Sequence, residues 1–390
     1  MSEPPSVYFD HGATTPLRPE VAQAMAAARA EPLGNPTGSH RPAQRARRLL
    51  EEARDEVAAY LGRAPGEIIF TSGGTESANL AVFGVLEAAG RDGRPAAEIV
   101  CSAVEHPAVR QSCRAAARWP AVTCRVLPVD EAGCVDVDAL TGLLSAETAL
   151  VAVMLANNET GVVQPLDRVA DAVALAGNAR LFTDAVQASA FVSLAETTSG
   201  ADLVALSAHK VGGPVGVGAL AVRPPADLVP RQYGGGQEHE RRSGTQDVVG
   251  AVGLAVALRL AAVERSATVQ RVGALRDRLA AGLAENIPGL YRSVPPGVDV
   301  LPGHLHVCLP GIEREELLVA LSERGVCASG GSSCASGALE PSYVLAAMGV
   351  PDNLARGAIR FTLGHDTTEA DVECALAIVP GVVASLRHDP

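Results

Sequence analysis

Three shortages narrow the reading of this 390-residue chain. It has no apolar run near the length of about 20 residues that a membrane-spanning helix needs, so no membrane partner is expected. Its N-terminus, MSEPPSVYFD, has no basic stretch followed by an apolar one. No secretory signal is therefore expected, and a cytoplasmic location is the default. Positive charge is in deficit: 32 Lys and Arg against 44 Asp and Glu leave a formal charge of −12. Sequence-independent nucleic-acid binding needs clustered Lys and Arg and is not expected. The one basic run, RPAQRARRLLEEARDE, turns acidic at once. It reads as a solvated helix face with Arg47 above Glu51 and Arg48 above Glu52. Aromatics make up only 3 % of residues, so Ala, Val, Leu and Gly must carry the packing. None of the 8 cysteines forms a Cys-x-x-Cys pair, and a cytoplasmic chain of this size needs no disulfide framework. Cys101 and Cys308 sit in strand-like apolar runs and read as small core residues.

What is present is a large apolar fraction, 47 %, on a chain long enough for two domains. From about residue 67 to 222, short apolar runs alternate with amphipathic segments. The strand candidates are EIIFT, EIVCS, AVTCRVLPV, ALVAVMLA, ARLFTDA, DLVALSA and VGALAV. That alternation predicts an α/β fold whose mostly parallel sheet is flanked by helices. A long helical stretch over about 246–285 leads to a mixture of strands (HLHVCL, AIRFTL) and helices, a smaller α+β domain joined by the N-terminal VYFD strand. The expected division is 16–262 for the large domain, with 1–15 and 263–390 forming the small one.

In an open α/β sheet, ligands bind at the carboxyl ends of the strands. Five of these strand ends deliver polar groups: Ser72-Gly73-Gly74-Thr75, Glu105-His106, Asn157-Asn158-Glu159, Asp184 with Gln187, and His209-Lys210. Ser72–Thr75 opens a helix and suits a phosphate, although an ordinary capped turn would look the same. Lys210 follows an apolar strand and precedes VGGPVGVG, which leaves room for something flat; it is a Schiff-base candidate or else an exposed loop lysine. Asp184, ending a buried strand, needs a cation or several donors. A phosphate cradle, a lysine and an aspartate are the three parts pyridoxal 5'-phosphate requires. His106 could lie over the ring or be a satisfied core histidine. His304 and His306 share a strand face without a third ligand and read as structural, so no metal is expected.

Ten segments occur in an order that resembles the cysteine desulfurases: DHGATTP, GNPTGSH, FTSGGTESANLA, EHPAV, NNETGVVQP, DAVQ, SAHKVGGPVGVGAL, GGGQEHERRSGT, SSCASGALEPSYVL and IRFTLG. The resemblance covers about residues 7–380. It implies pyridoxal-phosphate-dependent fold type I, in the class V aminotransferase-like branch with a long catalytic-cysteine loop. It further implies that Lys210 holds the cofactor, Asp184 pairs with the ring nitrogen, Gln187 with the ring oxygen, and Asn158 lies beside it. Gly74, Thr75, Ser207 and His209 would bind the phosphate, joined by Thr245 from the other subunit of a homodimer. Arg360 would clamp the carboxylate of L-cysteine, and Asn35 would line the substrate pocket. Cys334 would attack the substrate sulfur and carry it as a persulfide to a sulfur-acceptor protein, leaving L-alanine, with His106 a proton donor or acceptor. Iron–sulfur cluster assembly and tRNA thiolation are the expected uses. Rivals are a selenocysteine lyase or class V aminotransferase of the same fold, and a non-catalytic binding protein. The chain departs from the family at Ser333, at Gly212, where an aromatic is common, and at Val215, where a lysine is common.

Overall fold

A computed structural model describes residues 6–91, 97–331 and 342–388. Its strands are β1 (Val7–Tyr8), β2 (Ile68–Thr71), β3 (Ala97–Ser102), β4 (Val122–Leu127), β5 (Thr148–Ala152), β6 (Arg180–Asp184), β7 (Leu203–Ser207), β8 (Gly218–Val222), β9 (Tyr291–Arg292), β10 (His304–Cys308), β11 (Val326–Cys327) and β12 (Ala358–Thr362). Its helices are α1 (Pro19–Arg29), α2 (Arg41–Leu61), α3 (Gly74–Arg91), α4 (Pro107–Ala116), α5 (Val137–Leu143), α6 (Leu166–Ala176), α7 (Leu194–Thr197), α8 (Val248–Asn286), α9 (Arg314–Glu323), α10 (Tyr343–Ala347), α11 (Asp352–Ala355) and α12 (Glu369–His388).

Seven strands form one sheet in the order β2-β8-β7-β6-β5-β3-β4. Only β8 runs against its neighbours. Apart from the edge strand β4, whose Thr123, Arg125 and Val126 are exposed, the strands read as largely apolar runs because both faces are covered. Side chains alternate between them: Val204 and Leu206 join the face packed by α2, α6 and the start of α8, while Leu203 and Ala205 join the face packed by α3 and α4. A second packing centre gathers Phe9, Leu305, Ile359 and Phe361 with α9 and α12. Helix α8 serves both: it buries Leu254 and Leu258 against the large sheet, then Val272, Leu275 and Leu279 in the second centre. β10 pairs antiparallel with β12 and β9, and the N-terminal β1 pairs parallel with β11.

Helix α2 shows how local sequence sets the boundaries. His40 accepts the Ala43 N–H at its start. Gly62 closes it in the left-handed region, φ 63°, a conformation a Cβ disfavours. The expected solvated face holds only in part. Arg48 and Glu52 do meet at 3.9 Å on the surface, but Arg47 donates to the carbonyls of Pro36 and Gly38. Arg54 of the same run is 2 % exposed and pairs with Glu238. An aliphatic stem lets arginine follow a core-facing stripe provided its head finds a partner. Gly212 has φ 78°, and a Cβ there would lie 2.6 Å from Cγ of Arg18. The Arg18 side chain thus fills the space beside it. Val215 is exposed, and nothing in the structure explains it.

No helix among the described residues is long and apolar enough to cross a membrane. No group of three or more His, Cys, Asp or Glu among them could hold a metal ion. Cys101 and Cys308 are buried free thiols.

Candidate active site

The carboxyl edge of the large sheet opens into a cavity of about 280 Å³, close to the lower end of the roughly 300–1,000 Å³ range of small-molecule sites. Gly74 and Thr75 line it from the first turn of α3, Ser207 from the end of β7, and His209 and Lys210 from the short turn that follows. His106, Asn158, Asp184, Gln187 and Arg360 complete the wall. Ten residues singled out from sequence therefore share one space.

Lys210 donates from Nζ to the carbonyl oxygens of Gly12 and, at 2.7 Å, Ala13. Gln187 donates to the same Gly12 carbonyl at 2.8 Å. Asp184 accepts from the Val186 N–H at 3.0 Å. Burial pushes its carboxyl above the ordinary value, against the pull of His106, that N–H and Lys210. A buried carboxylate in this state is a ready partner for a cation. His106 caps α4: its Nδ1 accepts the Ala108 N–H at 3.1 Å. The neutral ring therefore carries its proton on Nε2. Burial holds His106 below the usual histidine value; Asp184 opposes this and Lys210 reinforces it. Burial, with Lys210 beside it, lowers His209 to about 4, and its Nδ1 meets Thr14 Oγ1 at 3.1 Å.

The two asparagines divide their work. Asn157 uses up its amide: Nδ2 donates to Val104 O after β3, and Oδ1 accepts from Glu159 N and Thr160 N of its own turn. Asn158 Oδ1 is buried without a hydrogen-bond partner and belongs to the cavity wall. Arg360, 1 % exposed, donates to Asn158 O at 2.7 Å and to Asp10 Oδ1 at 2.6 Å, and its Nε is unpartnered.

These groups fit pyridoxal phosphate. Gly74 and Thr75 open α3, where the helix dipole favours an anion, and Ser207 and His209 line the same cavity. Lys210 supplies an amine, Asp184 a buried carboxylate, and Asn158 an unmet acceptor.

Two expected residues lie elsewhere: Asn35 and Thr245 line a different cleft of about 430 Å³. Cys334 falls outside the described residues. Sequence reasoning gave no role to two buried carboxylates at the same strand ends. Glu105 accepts from Met154 N at 2.6 Å, and burial raises it to about 8. Glu159 accepts from Ser342 Oγ at 2.6 Å. Their positions right after strands were a visible signal; their burial was not.

Residues 7–374 match the aminotransferase class-V family. The chain is 39 % identical over 381 residues to "Cysteine desulfurase IscS" of Dictyoglomus turgidum, covering 98 % of this chain and 95 % of that one. It is 41 % identical over 384 residues to "IscS-like cysteine desulfurase" of Mycobacterium tuberculosis, covering 98 % and 97 %. A solved NifS-like protein superposes with a TM-score of 0.90 at 34 % identity, over 98 % of this chain and all of its own. The chain belongs to the aminotransferase class-V family and, within it, to the pyridoxal-phosphate-dependent cysteine desulfurases.

Proposed function

We propose that this chain acts as a homodimer that removes sulfur from L-cysteine, holds it as a persulfide on Cys334 and passes it to a sulfur-acceptor protein, leaving L-alanine. The observation that carries this is the meeting of Lys210, Asp184 and His106 around one cavity at the carboxyl edge of the sheet.

Bound pyridoxal phosphate supplies a cationic, electron-withdrawing ring that makes the substrate Cα–H acidic and the Cβ–S bond labile. Lys210 would hold it covalently, and its amine would take the proton from the substrate Cα. Asp184 would keep the ring nitrogen protonated, and Gln187 and Asn158 would orient the ring. Gly74, Thr75, Ser207 and His209 would hold the phosphate, with Thr245 of a second copy. Arg360 would receive the substrate carboxylate, a planar task suited to a guanidinium, and Asn35, which lies in the cleft with Thr245, would reach the pocket of a second copy. His106 offers its Nε2–H toward the leaving sulfur. The Cys334 thiolate attacks that sulfur: the S–S bond forms as the Cβ–S bond breaks. The electron pair passes to the substrate skeleton, which takes up protons and leaves as L-alanine. Residues 16–262 would form the cofactor-binding unit, with 1–15 and 263–390 the smaller one. The change of packing partner along α8 supports that division.

Alanine release from L-cysteine and from L-selenocysteine, in wild type and Cys334→Ala, tests the reading. Release from L-cysteine that needs Cys334 supports it. Full release by Cys334→Ala without added reductant contradicts the persulfide role, and release from selenocysteine alone favours a lyase.

A further inference from the structure

Between β8 and α8 the chain makes an unusual turn. Glu238, His239 and Glu240 all lie in the left-handed region, with φ of 48°, 56° and 63°. Residues with a Cβ disfavour this conformation, so three in a row persist only where the surroundings impose it. One carboxylate does so here. Glu238 is 3 % exposed. Arg54 donates Nη1 to its Oε2 at 2.7 Å and Nη2 to its Oε1 at 3.0 Å. The Phe70 N–H donates to Oε2 at 2.8 Å, which ties the turn to β2.

The same turn brackets Thr245. On one side Gln246 donates from Nε2 to Glu238 Oε1 at 3.1 Å. On the other, the Gly244 N–H donates to Gln237 Oε1 at 2.9 Å. Thr245 itself is exposed and lies in the cleft with Asn35, not in the Lys210 cavity. A buried bidentate ion pair is an expensive way to fix an idle surface hydroxyl. We propose that Glu238 is a positioning residue that acts across the dimer: paired with Arg54, it holds Thr245 where it completes the cofactor phosphate site of a second copy of this chain. The inference rests on the homodimer reading above.

The test uses Glu238→Gln, which keeps the side chain's size but not its charge, and mixed dimers purified through two affinity tags. The readout is the dissociation constant of pyridoxal phosphate, followed by the absorbance of the lysine-bound cofactor. In the Glu238→Gln homodimer, loss of a hydrogen bond to a charged group weakens binding about tenfold. Pairing Glu238→Gln with Lys210→Ala leaves one lysine-bearing site, and its Thr245 comes from the protomer with Glu238 intact. That site regains wild-type affinity if Glu238 acts across the dimer. An affinity as weak as in the variant homodimer, or a homodimer that binds as wild type does, overturns the proposal. Gln246→Ala leaves the ion pair in place, so it folds where Glu238→Gln does not, and it follows the same pattern. Sedimentation of the wild-type protein separates the two readings: a monomer overturns the dimer itself, whereas a dimer without recovery overturns only the role of Glu238.

Discussion

Lys210 is the only lysine in the chain. Its amine sits among the backbone carbonyls of Gly12 and Ala13, beside a buried carboxylate at Asp184. Borohydride reduction of the cofactor-loaded protein is expected to fix pyridoxal phosphate on a single peptide, the one containing Lys210, and on none in Lys210→Ala. Asp184→Asn keeps the shape of the side chain and its bond to Val186 but removes the charge. Turnover is expected to fall at least about 100-fold, the scale of losing one preorganised electrostatic contact, while the cofactor stays bound; steady-state kinetics with an absorbance spectrum checks both. For His106, the cap at Nδ1 fixes the proton on Nε2. His106→Gln is expected to lower kcat about 100-fold or more with little change in KM.

At the scale of elements, the site depends on how closely β8 approaches the turn after β2. A Cβ on Gly218 would lie 2.7 Å from Gly73 Cα. The Leu206 carbonyl oxygen on β7 would be closer still, so Gly218→Ala must shift β8 against both β7 and the turn that leads into Gly74 and Thr75. Overpacking of this kind destabilises by about 1–3 kcal/mol, and cofactor affinity is expected to drop with it, as thermal melts with and without pyridoxal phosphate would register. The strands were legible because doubly covered parallel strands read as unbroken apolar runs, and the five polar strand ends pointed straight to the cavity. Arg54 was not legible: sequence shows a charge in a basic run, and only the fold brings Glu238, 184 residues away, to meet it. Glu105 and Glu159 were visible as residues, yet nothing local says that a carboxylate will be buried.

For the whole molecule, buried titratable groups give stability two opposing pH slopes. Burial lowers His11 to about 4, with nearby Asp366 working against it, and His306 to about 3. Both are neutral in the folded protein at pH 7. A depressed folded value gives stability that is present above the unfolded value near 6.5 and lost as pH falls toward 4. The slope is up to about 1.4 kcal/mol per pH unit for each proton taken up. Glu105 is raised to about 8, so its contribution is present below about 4.5 and fades as pH rises to about 8. Urea unfolding is expected to show lower stability at pH 5 than at pH 7, and Glu105→Gln to gain on wild type as pH rises from 5 to 8. The proposed homodimer belongs to this scale as well: within one chain Asn35 and Thr245 lie away from the Lys210 cavity.

The most direct measurement of the central claim is mass spectrometry of the cofactor-loaded protein after incubation with L-cysteine in the absence of reductant. On the proposed mechanism, the peptide containing Cys334 gains one sulfur atom, dithiothreitol removes it, and Lys210→Ala shows no gain. Alanine released with no added sulfur on Cys334, or sulfur gained equally by the Lys210→Ala protein, would contradict it.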